Sequence, residues 1–143
     1  MTVRTAEATW HGDLKSGNGT MKTGRGGFES PFTFASRFEE AVSISPEDLV
    51  AAAHAGCFAM ALSHVLSSGG HVPSHVHADA VVNLGPDPAG GFHIGSIDLT
   101  VTASVPGLDD TAFQSAVKEV RTGCPISKLY AGTVISVDAT LTD

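Results

Sequence analysis

The chain has 143 residues, 42% hydrophobic and 16% charged, a globular composition with no disordered segment that fits a single domain over 1–143. Its formal net charge is -7 at pH 7, and an acidic surface repels phosphate backbones and anionic lipid, so nucleic acid and membrane are not expected partners. Residues 1–5 carry no apolar run after Arg4, so no secretory signal is expected; the expected compartment is the reducing cytoplasm, where a structural disulfide does not persist.

The first third reads as short strands. Ala6, Ala8 and Trp10 alternate with Thr5, Glu7 and Thr9, the period of a half-buried strand. A turn-rich stretch over 12–19 leads to a second strand over 20–23, which Gly24, Gly26 and Gly27 interrupt. Phe32, Phe34 and Phe38 mark a third extended piece, which carries Arg37. Ser45-Pro46-Glu47-Asp48 is a strong helix start: a capping serine, a proline at the first helical position and two acids at the positive end of the dipole.

The helix then runs apolar almost all round to Ser68, where Gly69-Gly70 stops it. Residues 49–68 hold no Asp, Glu, Lys or Arg, which raises a membrane span. The alanines, serines, His54 and His64, and the lack of a flanking basic cluster, favour a buried central helix. A helix apolar on every face needs cover on every face. So short a chain has few other elements to supply it, which points to a homodimer.

Val76 to Leu84 and Ile97 to Val105 alternate as the two arms of a long hairpin, with its turn over 85–91. Ile94 is out of phase with Ile97, which predicts a bulge near Gly95-Ser96. Asp109 or Asp110 starts a second helix with the apolar stripe Ala112, Phe113, Ala116, Val117 and Val120. Cys124-Pro125 opens another short helix, and Ile135, Val137, Ala139 and Leu141 form the last strand. Helices segregated from antiparallel hairpins make an α+β fold.

The chain has two cysteines. In a reducing compartment they are buried thiols, part of a metal site, or a redox pair. Cys57 sits near the middle of the apolar helix, where one cysteine alone reads as a small core residue. Cys124 precedes a helix start, where free N–H groups stabilise a thiolate and where a capping role is the alternative. They are too far apart in sequence for a local CxxC motif. A thiolate needs nearby positive charge, which makes Arg37 a candidate, with Glu47 to hold its guanidinium. About 15 Å of straight helix separates Glu47 from Cys57. Either Arg37 bridges them, or the helix bends, or Glu47 serves the site from a partner chain.

The sequence holds seven histidines. His54, one turn before Cys57, can act as a base, but the core-histidine reading is preferred. His71, His75 and His77 cluster in sequence, yet two ligands on one strand are a weak metal signal, and no metal is expected. No phosphate loop, zinc cysteine pair or nucleophile elbow is present.

Three segments carry a resemblance. Residues 45–62, SPEDLVAAAHAGCFAMAL, are similar to the first-cysteine helix of the OsmC/Ohr family (osmotically inducible protein C and organic hydroperoxide resistance protein). Gly123-Cys124-Pro125-Ile126-Ser127 is similar to its second-cysteine motif, and residues 8–19 resemble the N-terminal strand and turn of the OsmC branch. Arg37, shortly before the helix, matches the OsmC placement rather than the earlier one of the Ohr branch. The resemblance implies an OsmC-like fold, with antiparallel sheets around a central helix carrying the first cysteine, in an intertwined homodimer. It implies a cysteine-based peroxidase with Cys57, Cys124, Arg37 and Glu47 as catalytic residues and no bound cofactor. Cys57 would attack an organic hydroperoxide and become a sulfenic acid, and Cys124 would resolve it as a disulfide. An external dithiol, typically a dihydrolipoyl group, would reduce that disulfide. Phe38 and Phe58 are expected to line an apolar substrate pocket. A non-catalytic redox-sensing or metal-binding protein on the same fold is the competing reading.

Overall fold

The computed structural model describes residues 1–142 and divides into two compact units, Met1–Leu49 and the chain from Val50 onward. The last residue of the expected 1–143 domain lies outside the described residues.

In the first unit, β1 (Ala6–His11), β2 (Asn18–Thr23) and β3 (Glu29–Thr33) form an antiparallel sheet in the order β1-β2-β3. Trp10 lies opposite Gly19 in the ladder and its ring meets Phe32 at 5.2 Å. A Cβ at Gly19 would fall against the Thr9 carbonyl oxygen and both rings, so only glycine fits beneath them. The expected half-burial of β1 is not seen: Ala6 and Ala8 are exposed, and only Trp10 is partly covered. Alternation specifies a strand's two faces, but small alanines bury too little area to demand a cover.

The third piece differs from expectation. Its extended part ends at Thr33, and Arg37 sits on a short helix, α1 (Phe34–Phe38). Thr33 and Ser36 cap it reciprocally: the Thr33 hydroxyl accepts from Ser36 N–H at 3.1 Å, and the Ser36 hydroxyl accepts from Thr33 N–H at 2.9 Å. Phe34 and Phe38 then fall one turn apart, with ring centroids at 4.9 Å. Their i, i+4 spacing is the helical signal that the aromatic run concealed.

The long helix α2 spans Pro46–Ser68. Ser45 caps it as expected, and Asp48 completes a capping box: Asp48 N–H donates to the Ser45 hydroxyl at 3.3 Å, and Asp48 Oδ2 accepts from Ser45 N–H at 2.7 Å. At its end, His71 N–H donates to the Leu66 carbonyl at 3.0 Å across Gly70, whose φ of 89° closes the turn without a Cβ penalty.

In the second unit, β4 (His75–Pro86) and β5 (Phe92–Ser104) form the expected hairpin. Asn83 faces Ser96 and Leu84 faces Ile94, which leaves Gly95 as the bulged residue. Helix α3 (Asp110–Gly123) is capped by Asp109, whose side chain accepts from Ala112 N–H. Phe113, Ala116, Val117 and Val120 are buried, whereas Ala112 of the predicted stripe is exposed. Helix α4 (Pro125–Leu129) leads to β6 (Val134–Thr142). The sheet order is β4-β5-β6, and β6 runs parallel to β5. The expectation of purely antiparallel sheets is thus corrected for this pair. The chain crosses over through α3 and α4 before returning, and such a crossover delivers a parallel neighbour.

Phe58, Leu62 and Leu66 of α2 pack with Leu99, Val101 and Ala103 of β5 and Phe113, Val117 and Val120 of α3, all buried. The expectation that α2 is buried on every face is not met within one chain. His54, Phe58, Leu62 and Leu66 form its buried line at four-residue spacing, while Ala53, Gly56, Met60 and His64 are exposed. One core covers one stripe of a helix. By length and composition α2 is apolar enough to cross a membrane, yet its buried line completes this chain's own core.

Candidate thiol site

Cys57 and Cys124 are brought together. Cys57 lies on α2, and Cys124 is the single residue that ends α3 and begins α4. The backbone holds Cys124 from both sides: its N–H donates to the Val120 carbonyl, and its own carbonyl accepts from Lys128 N–H, each at 3.0 Å. Pro125 follows at the first helical position, where its missing N–H costs nothing. The two sulfurs lie 2.7 Å apart as free thiols. Cys124 is only 1% exposed, while Cys57 is partly open.

The surroundings treat the two thiols differently. Burial pushes the Cys57 thiol up, and the Cys124 sulfur adds to that, against a small opposing hydrogen bond from Ile126 N–H. Burial alone would raise Cys124 too. The hydrogen bonds of Cys57, of Ser127 through its N–H and hydroxyl, and of Ile126 N–H outweigh burial and hold Cys124 below the ordinary thiol range.

His54 is fully buried; its Nε2 lies 2.8 Å from the Ser127 hydroxyl, and its ring meets Tyr130 edge-on at 5.5 Å. Burial lowers its pKa. Sequence reading singled out His54 but gave Ser127 and Tyr130 no role. Ser127 stands one helical turn after Cys124, and only the fold brings it to His54, 73 residues away in sequence.

In the N-terminal unit, Arg37 and Glu47 form the expected pair. Arg37 Nε donates to Glu47 Oε1 at 3.0 Å and Nη2 donates to the same oxygen at 2.8 Å, with Nε also 3.3 Å from Oε2. The Glu47 side chain is 11% exposed and that of Arg37 40%, so the carboxylate is sunk and the guanidinium reaches outward. Arg37 also lies 5.4 Å over the Phe38 ring. A cleft of about 360 Å³ opens here, lined by Trp10, Leu14, Phe32, Phe34, Arg37 and Phe38. Phe38 thus lines an apolar cleft as expected. Phe58 does not: it is fully buried in the core of the second unit, because its place on the inner line of α2 points it at β5 and α3.

His71, His75 and His77 do not converge. His77 instead contacts Asp79 at 3.1 Å, and no group of three or more His, Cys, Asp and Glu side chains positioned to hold a metal occurs among the described residues.

Comparison with known proteins agrees with this architecture. The family model described as OsmC-like protein matches residues 39–138. The chain is 39% identical to peroxiredoxin OsmC of Escherichia coli, over 94% of each chain. It is 31% identical to organic hydroperoxide resistance protein OhrB of Bacillus subtilis, over 94% of this chain and 95% of the other. Its fold superposes on the crystal structure of an organic hydroperoxide resistance protein OsmC from Legionella pneumophila with a TM-score of 0.71 at 23% identity, covering 100% of both chains. A thiol pair of this build, on a fold and sequence of this likeness, places the chain in the OsmC-like family.

Proposed function

We infer that this protein is a cysteine-based peroxidase that reduces organic hydroperoxides to alcohols. The observation that carries the reading is the contact of two free thiols at 2.7 Å, supplied by α2 and by the α3–α4 junction. Two sulfurs so placed can exchange a sulfenic acid for a disulfide with little movement.

In the proposed cycle the partly open Cys57 attacks the distal peroxide oxygen. The O–O bond breaks, the alcohol leaves, and Cys57 becomes a sulfenic acid. Cys124, closed off from solvent, then displaces hydroxide to form the Cys57–Cys124 disulfide. An external dithiol of the dihydrolipoyl type returns both thiols. Because burial raises the Cys57 thiol, its thiolate needs a cation. We assign that role to Arg37, oriented by Glu47, in the functional dimer. The aromatic cleft beside Arg37 favours an apolar organic group over hydrogen peroxide.

The exposed line of α2, Ala53, Gly56, Met60 and His64, supports a homodimer. Its small residues let a second helix approach closely, and Met60, 77% exposed, is a costly side chain to leave in water. We propose that the protein works as a single soluble domain of the cytoplasm.

The decisive test mixes reduced protein with cumene hydroperoxide and excess dihydrolipoamide beside a Cys57→Ser control. Catalytic peroxide loss in the wild type alone supports the reading. No loss with any dithiol would overturn it.

A further inference from the structure

No step of the proposed cycle uses the end of the N-terminal sheet where β1 begins, yet two cations meet there. Arg4 and Arg25 line one cleft of about 510 Å³ with Thr5, Thr23 and Gly26. The ladder brings them together: Ala6 faces Thr23, and Gly24 N–H donates to the Thr5 carbonyl at 2.8 Å, so Arg4 and Arg25 are the next residues on the two segments. Like charges placed across from each other repel. In a chain with 8 basic and 15 acidic residues, carboxylates are the plentiful partner. Among the described residues, however, none forms an ion pair with either arginine. The two carboxylates of this sheet, Glu7 and Glu29, flank Lys22 in the ladder instead, and Lys22 pairs with Glu7 at 2.9 Å. The turn after β2 leaves the cleft uncovered. Gly26 and Gly27 take φ of 76° and 87°, and nothing beyond the adjoining residues lies within 4 Å of where a Cβ would stand. Gly26 N–H and the Thr23 hydroxyl are used inside the turn, on the Thr23 carbonyl at 3.1 Å and the Gly26 carbonyl at 2.7 Å. The cleft's charged donors are therefore the two guanidiniums.

At Thr23 the cleft adjoins a hollow of about 260 Å³, lined by Ala6, Ala8, Met21, Phe28 and Leu49 beside the Glu7–Lys22 pair. Ala8 faces Met21 and Ala6 faces Thr23, so these side chains share one face of the sheet. Both alanines are exposed. We propose that cleft and hollow form one binding site for an amphiphilic anion: a carboxylate or phosphate head held between Arg4 and Arg25, and an apolar chain laid against Ala6, Ala8, Met21, Phe28 and Leu49. Planar guanidinium forks match the oxygens of either head, and the anion removes the repulsion between the two arginines. The chain covers apolar surface that the fold leaves in water. The site shares no residue with the thiol cycle and does not rest on the peroxidase reading.

The test titrates the reduced full-length protein by calorimetry at low salt with sodium octanoate and with octyl phosphate, beside acetate and octanol. At least one of the two amphiphiles should bind once per chain, about tenfold or more tighter than acetate, which lacks the chain, and than octanol, which lacks the charge. The tighter of the two identifies the head, and either supports the site. Arg25→Ala and Arg4→Ala, both at exposed positions, should each weaken binding about tenfold, the value of a hydrogen bond to a charged group. That effect should shrink as salt is raised. Met21→Ser should reduce the preference for octanoate over acetate and leave acetate binding unchanged.

Binding of neither amphiphile, or affinity unchanged in both arginine variants, would overturn the proposal. Equal binding of acetate and octanoate, or an undiminished chain preference in Met21→Ser, would reduce the site to a simple anion cleft and overturn it as well. Sedimentation is run alongside: if octanoate separates two copies of the chain, the hollow belongs to a second copy and the proposal falls. No variant here touches a thiol, so a failed peroxidase assay would leave this test intact.

Discussion

The two compact units handle polar chemistry in opposite ways. In the N-terminal unit the exposed charged group is a cation: Arg37 reaches outward beside aromatic rings, and its partner Glu47 is sunk. In the C-terminal unit the polar pair is two thiols set into an apolar core of helices and β5. Burial that suits a neutral thiol opposes a thiolate, and it raises Cys57. The unit that holds the proposed nucleophile therefore does not supply, from its own core, what that role needs. Cys124 is buried as well, yet its contact with Cys57, followed by Ser127 and Ile126, holds it below the ordinary thiol range.

The largest effects should separate the two thiols. Cys57→Ser is expected to abolish turnover, whereas Cys124→Ser retains one round of peroxide reduction and blocks recycling by dithiol. Stoichiometric titration of peroxide consumed per chain distinguishes them, and full turnover in both variants would break the division of labour.

Next comes the cation. Arg37→Ala should slow the reaction of Cys57 with peroxide by about ten- to a hundredfold, the value of a charge-assisted hydrogen bond. The loss should shrink as pH rises, because alkali ionises the raised Cys57 thiol without help. Glu47→Gln should have the same sign and a smaller size. Stopped-flow rates against pH read both, and a wild-type pH profile in Arg37→Ala would remove Arg37 from the first step.

Stability should sharpen the contrast between the units. Phe113→Ala, at a fully buried core position, should cost about 3–5 kcal/mol in urea unfolding. Phe34→Ala, at a half-buried cleft position, should cost distinctly less.

The smallest effect is a pH dependence. Burial holds His54 below its ordinary pKa of 6.5, so the unfolded chain takes up that proton at higher pH than the folded one. The contribution of neutral His54 is complete above about pH 6.5, and is lost as pH falls through that value toward the folded-state pKa. Wild-type stability should fall over this window more steeply than that of His54→Gln. Parallel curves would show that His54 does not titrate on unfolding.

Much of this was legible in the chain. The capping box at Ser45 and Asp48, the long α2, the hairpin with its bulge at Gly95, and Cys124 at a helix start each depend on a few adjacent residues. The errors arose where local signals competed or ran out. The aromatic run over 32–38 concealed the capping of α1 by Thr33 and Ser36. Alternation in β6 marked a strand but carries no direction, and the parallel pairing came from the crossover through α3 and α4. An all-round apolar helix gave no hint of which stripe the chain itself would cover.

By itself, the sequence determined the elements, the α+β class, the family and the identity of the two thiols, because caps, turns and periodicities act over one or two turns of chain. Tertiary structure alone decided that Cys57 meets Cys124, that Phe58 serves the core and not a pocket, and that Ser127 meets His54. Those outcomes depend on which faces pack together, and packing is set by the whole core rather than by any one segment.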